Sequence, residues 1–145
     1  MWNIFSYIKK KKIQKKKCMS VVNILKKRGP DAYKFEFLNN DKFFLCNTIL
    51  NITGKIDKKK NLIKSSNERF KISFNGEIYN YKEISNKYLS KIPKSNQSDT
   101  KILVDLHEVL NSKKIPKILN GMFAYAIYDS LKKRIFIAND PQGEK

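Results

Sequence analysis

The 145 residues, 17.0 kDa, amount to one domain's worth of chain, able to bury roughly two-thirds of its unfolded surface without disulfide or metal staples. Apolar residues at 41% and aromatics at 12% exclude a disordered or collagen-like chain, and no apolar run approaches the roughly 20 residues of a membrane-spanning helix. Thirty-one basic against 13 acidic residues give a net charge of +18, a field that attracts nucleic acid or anionic membrane.

Only Arg28, Arg69 and Arg134 are arginine, the preferred reader of phosphates and bases. Lysine, asparagine and isoleucine, all with A/T-rich codons, make up 61 of the 145 residues. Coding bias therefore accounts for the lysine load without a nucleic-acid partner, and none is expected. Cys18, Cys46 and the single histidine, His107, form neither a disulfide framework nor a zinc pattern; they fit a reducing, cytoplasmic setting with no bound metal.

In chain order, the apolar-rich start through Ile8 predicts a short strand. Seven lysines follow within residues 9–17. Charges after the apolar stretch reverse the order of an export signal, and the run reads as a solvated turn in preference to a peripheral membrane anchor. From Cys18, the spacing of Val21, Val22 and Leu25 predicts a helix stopped by Arg28-Gly29-Pro30-Asp31, with the glycine as its cap. Tyr33, Phe35 and Phe37 alternate with Lys34 and Glu36 as in a half-buried strand, and a second strand is predicted from Phe43 to Leu50. Residues 54–68 are polar and lysine-rich, which predicts a loop.

The second half alternates Phe70, Ile72 and Phe74 into Asn75-Gly76-Glu77, then predicts a helix carrying Ile84 and Tyr88. After a loop at 93–98, Ser98 or Asp99 caps a helix whose stripe holds Ile102, Leu103, Leu106, Val109 and Leu110. His107 is placed off that stripe, at the surface. Met122 to Tyr128 is apolar at almost every position, so this strand needs cover on both faces. Asp129 to Lys133 turn, and Arg134 to Ala138 return as its hairpin partner. Strands and helices come in blocks, which predicts an α+β fold with mostly antiparallel sheets.

Five segments occur together in one order: Arg28-Gly29-Pro30-Asp31, Phe74-Asn75-Gly76-Glu77-Ile78-Tyr79-Asn80, Ser98-Asp99-Thr100, the run from Leu119 to Asp129, and Asp140-Pro141-Gln142-Gly143-Glu144-Lys145. In combination they resemble the glutaminase domain of glutamine-hydrolysing asparagine synthetases, a class II glutamine amidotransferase. The resemblance covers most of residues 1–145. It implies a four-layer αββα sandwich of the N-terminal-nucleophile hydrolase type, two antiparallel sheets between helix layers. It also implies that an N-terminal cysteine, its own α-amine acting as base, attacks the glutamine side-chain amide and releases ammonia. ATP and magnesium belong to a separate synthetase domain, which uses that ammonia on aspartate; no cofactor is expected in this chain.

By the same resemblance, the Asn75 side-chain N–H and the Gly76 backbone N–H form the oxyanion hole. Glycine would let the substrate approach the backbone. Glu77 and Asp99 hold the α-ammonium of glutamine. Taken alone, Asn75-Gly76 reads as a turn after a strand and Asp99 as a helix cap; the accompanying motifs reverse that reading.

Three departures follow. The family begins Met-Cys-Gly-Ile-Phe-Gly, whereas this chain begins Met1-Trp2-Asn3-Ile4-Phe5-Ser6; Trp2 occupies the nucleophile position, and indole offers no atom suited to acyl transfer. Cys18, on an apolar helix stripe, reads as a buried thiol and not as a substitute. Ile49 stands where the family's strand supplies an arginine to the glutamine carboxylate, a loss of about 1.5–3 kcal/mol of binding. The family continues past the position of Lys145 with further strands and the synthetase domain, so the C-terminal strands of the sandwich are expected to be missing here. The sequence therefore predicts an amidotransferase domain with impaired catalysis, glutamine as its ligand and a separate synthetase domain or chain as partner. The alternatives are a non-catalytic glutamine-binding remnant or a lysine-rich binder of RNA or anionic surfaces.

Overall fold

The computed structural model describes residues 3–8 as backbone, and residues 12–27, 29–49, 62–90 and 98–143 in full. Trp2, Arg28, residues 54–61 of the loop predicted at 54–68 and residues 93–97 of that predicted at 93–98 lie outside the described residues. The fold is α+β, with two antiparallel sheets and three helices among the described residues. The chain divides into two compact units, Met1–Leu62 with Ser73–Asn75, and Ile63–Ile72 with Gly76–Lys145.

In the first unit β1 (Asn3–Ile8), β3 (Phe43–Ile49) and β2 (Ala32–Leu38) form a sheet in the order β1-β3-β2. The register runs from Asn3 opposite Thr48 to Ile8 opposite Phe43, and from Ala32 opposite Ile49 to Leu38 opposite Phe43. The central strand β3 is buried at every position. Helix α1 (Lys15–Leu25) lays Cys18 and Val22 on a core with Ile13, Phe44 and Cys46. It starts earlier than its apolar stripe implies: Lys15, Lys16 and Lys17 form its exposed first turn and not a connecting turn. It ends at Leu25, and Gly29 is not its cap. A β-carbon on Gly29 would lie 2.8 Å from the Ile49 nitrogen, so this glycine lets the chain pass close against β3.

In the second unit the sheet order is β4 (Ile63–Lys64), β5 (Phe70–Ile78), β6 (Gly121–Asp129) and β7 (Arg134–Asn139). Strand β4 falls inside the span predicted as loop, because Ile63 pairs with Ile72 across a tight turn. Strand β6 is buried on both faces from Tyr125 to Asp129, as its unbroken apolar run requires. Its hairpin with β7 pairs Asp129 with Arg134 through to Ala124 with Asn139. Helices α2 (Tyr81–Tyr88) and α3 (Asp99–Val109) complete the unit, with a 3-10 turn at Ile115–Lys117.

Ser98, and not Asp99, caps α3: its hydroxyl accepts from the Lys101 N–H at 3.1 Å. Val109 is half-exposed, off the buried face. His107 is buried, 4% exposed, which corrects its surface placement. It stands one turn after Leu103 and is enclosed by the rings of Phe70, Tyr125 and Phe136, with Nδ1 2.9 Å from the Ser112 hydroxyl. Burial, opposed only weakly by the charge of Asp129, lowers its pKa to about 4. The unfolded chain then binds a proton that the folded chain refuses. Stability from His107 is full above about pH 6.5 and falls as the pH drops towards 4. Urea midpoints should therefore show a loss of about 2–3 kcal/mol between pH 7 and 4.5, which His107→Phe removes.

Candidate active site

Strand β5 carries three of the four candidate binding residues in a row. Asn75 and Gly76 lie inside the strand, so they are not a turn; the chain turns at Tyr79 and Asn80. Gly76 has φ +141°, a region that side chains rarely adopt, and Gly121 on the neighbouring strand has φ +149°. A β-carbon on Gly76 would collide with the Met122 carbonyl oxygen and lie 2.7 Å from the Phe123 Cα. One on Gly121 would collide with the Glu77 carbonyl oxygen. Glycine at 76 is thus demanded by the close approach of β6, whatever else the backbone there does.

The second unit brings Asp99 to the end of β5. Its Oδ2 accepts from the Ile78 N–H at 3.3 Å, while Oδ1 accepts from the Thr100 N–H at 2.6 Å and the Thr100 hydroxyl at 3.2 Å. The carboxylate of helix α3's first residue is thereby fastened next to Glu77, whose side chain is exposed. A carboxylate at a helix N-terminus is itself favoured by the helix dipole.

In the first unit, Asn47 donates through Nδ2 to the Phe74 carbonyl at 3.0 Å, and Ser73 donates to the Cys46 carbonyl at 2.9 Å. Asn47 Oδ1 lies 2.9 Å from the Ser73 hydroxyl. These bonds fasten Ser73 and Phe74, and so the approach to Asn75, to β3. Ile49 is buried, two residues beyond Asn47 and on the same face of β3. Its carbonyl accepts from the Asp31 N–H at 3.1 Å. Asn3, the first residue of β1, pairs with Thr48 at this end of β3.

Sequence reasoning passed over two positioning residues. Asn47 has no local signature, because its partner is 27 residues away. Asp140 lies in a motif already singled out, yet its part emerges only here: its backbone N–H donates to the Phe123 carbonyl at 2.7 Å, and its carboxylate accepts from the Phe123 and Gln142 N–H groups. Asp140 thus sets the stretch of β6 that passes Gly76.

Both cysteines are buried. Burial raises the Cys18 thiol, and burial, against the charge of Lys26 and with that of Cys18, pushes Cys46 up to about 12. Neither is a thiolate at neutral pH, so neither is primed for attack. Among the described residues no three His, Cys, Asp or Glu side chains are placed to hold a metal ion, and no helix is long and apolar enough to cross a membrane. A cavity of about 180 Å³ beside α2 is lined by Asn80, Glu83, Ile84, Lys87, Tyr88 and Ile118, none of them a candidate residue.

Comparison with known proteins identifies the family. The family described as glutamine amidotransferase domain matches residues 1–145. A probable glutamine-hydrolyzing asparagine synthetase of Acanthamoeba polyphaga mimivirus is 31% identical over 134 residues, covering 91% of this chain and 24% of that protein. The glutamine-hydrolyzing asparagine synthetases of Gallus gallus and Homo sapiens are 26% and 25% identical over 129 residues, covering 87% of this chain and 22% of each. The chain spans about a quarter of the length of these relatives. It belongs to the glutamine amidotransferase domain family, in the form found in asparagine synthetases.

Proposed function

We propose that the chain binds glutamine through β5 and the start of α3, and that its hydrolytic step is impaired. The observation that carries the reading is the Asp99 carboxylate tied to the Ile78 N–H, which sets it beside Glu77 directly after Asn75 and Gly76. In this reading Glu77 and Asp99 receive the α-ammonium, with opposite charges meeting at one strand end. The Asn75 amide and the Gly76 N–H face the oxygen on which negative charge develops when an amide is attacked. The attacking group is what the sequence withholds, because Trp2 stands at the position of the family's cysteine and cannot form an acyl intermediate. Ile49 leaves the carboxylate end of glutamine without a cation.

The acceptor chemistry belongs to a separate synthetase domain or chain. ATP and magnesium would bind there, in keeping with the remaining length of the relatives. Incubating the purified chain with glutamine should release no glutamate above a no-protein blank. Glutamine titrated calorimetrically should bind weakly, and Asp99→Asn should abolish the heat. Trp2→Cys with Asn3→Gly should restore little turnover, because Ile49 remains. Turnover by the unaltered chain well above the blank overturns the impairment, and an absence of glutamine binding at millimolar concentration overturns the site.

A further inference from the structure

Coding bias explains how many lysines the chain has, not where they lie. Residues 1–62 hold 16 basic and four acidic residues, against 15 and nine in residues 63–145. Among the described residues, five of these lysines lie on or just after α1, beside a row of aromatic rings. Tyr33, Phe35 and Phe37 occupy one face of β2, an edge strand of its sheet, and all three are only half-buried. The rings of Tyr33 and Phe35 are parallel within 6°, centroids 6.0 Å apart; that of Phe37 stands edge-on, 6.1 Å further along. Helix α1 runs antiparallel beside them. The rings' inner sides pack against the core of Cys18, Val22 and Phe44. Lys26 Nζ stands over the Tyr33 ring, 3.7 Å from its centre, at one end, and Lys15 Nζ over that of Phe37 at 5.2 Å at the other, positions from which a phosphate can draw them. Lys16, Lys17 and Lys27 are exposed on α1 and just after it. Among the described residues, Asp41 lies at one end of this row, paired with Lys15 at 3.3 Å, and the exposed Asp31 precedes Tyr33 by two residues; Glu36 alternates to the other face of β2.

We propose that this lysine-bordered aromatic row of β2 and α1 binds single-stranded nucleic acid, with bases stacking on Tyr33 and Phe35 and phosphates held by the lysines of α1. Unpaired bases stack on half-exposed rings without regard to sequence, and lysines track the backbone as point charges, so a surface poor in arginine is adequate. The rings distinguish this surface from a merely basic one: duplexes and anionic lipid can use the charge but not the stacking. The proposal is independent of the glutamine site and stands or falls apart from it.

The test is fluorescence anisotropy of a labelled 12-nucleotide oligouridylate titrated with the full chain from 50 to 200 mM KCl. Binding should weaken steeply with salt, and Lys15→Gln with Lys26→Gln should flatten that dependence. Tyr33→Leu and Phe35→Leu keep apolar bulk at the core margin, and each should weaken binding about tenfold with the salt dependence unchanged. Lys132→Gln with Lys133→Gln, exposed in the second unit, should change neither. Three outcomes would overturn the proposal: no binding at 50 mM, full affinity in leucine variants that circular dichroism shows to be folded, or equal affinity for duplex RNA. Displacement of the oligonucleotide by phosphatidylserine vesicles that bind tighter would instead assign the surface to membrane and equally refute it.

Discussion

Gly76→Ala is expected to remove about 3–5 kcal/mol of stability, read as a fall in the urea midpoint by far-ultraviolet circular dichroism. Two costs add. The backbone at φ +141° disfavours any β-carbon, and that carbon would collide with the Met122 carbonyl oxygen and press on the Phe123 Cα at 2.7 Å. These obstacles are backbone atoms of β6, so no rotamer change relieves them. The strands themselves must part, and the loss is a large share of the roughly 5–15 kcal/mol that holds a domain together. Gly143→Ala is the control. Its φ is +70°, but nothing lies within 4 Å of an added β-carbon, so only the conformational cost of about 1 kcal/mol applies. Equal losses at the two positions would show that strand approach is not what demands glycine at 76.

Asp129→Ala is expected to cost about 3 kcal/mol. The carboxylate, 6% exposed, accepts from Arg69 Nε at 2.9 Å and from its terminal nitrogen at 2.7 Å, and Oδ1 also takes the Leu131 and Lys132 N–H groups of the hairpin turn. Removing it strands a guanidinium and two turn donors together. The loss stays below the largest values for buried ion pairs because Arg69 keeps 30% exposure and regains water. Burial alone would raise the Asp129 carboxyl. The Arg69 hydrogen bonds, the Lys132 and Leu131 N–H groups and the arginine charge outweigh it and hold the carboxyl below its ordinary 3.8. Its contribution is therefore complete above that ordinary value and is lost as the pH falls through the lowered one. Asp129→Ala should flatten the stability profile below about pH 4, which separates this pair from His107, whose effect develops between pH 6.5 and 4.

Local pattern was sufficient for the longer strands and the helices, but not for β4 or the first turn of α1. The alternation at Tyr33–Phe37 and Phe70–Phe74 and the unbroken run at Met122–Tyr128 each became a strand, but cover was set by what packs on it: Lys34 and Ser73, expected outside, are buried, while Tyr33, Phe35 and Phe37 are only half-buried. The ordered motifs likewise led to the amidotransferase family, which the family comparison bears out. Where sequence reading went astray, a partner distant in the chain had decided the matter. His107 is polar and was placed outside, yet Phe70, Tyr125 and Phe136 close over it. Gly29 looked like a helix cap, yet β3 twenty residues later leaves no room for a β-carbon.

What the chain's own order of residues determined was the set of elements, the family and the short list of candidate side chains. Periodicity and motif spacing are written within a few neighbouring positions. Which of those residues meet was decided by tertiary structure alone: Asp99 with the Ile78 N–H, Asn47 with Phe74, Asp140 with Phe123, and Gly76 against Met122. Each of these contacts joins positions 17 to 46 residues apart, and hydrogen bonds and excluded volume act only across a few ångströms. They come into being when the strands pair and the helices settle on them.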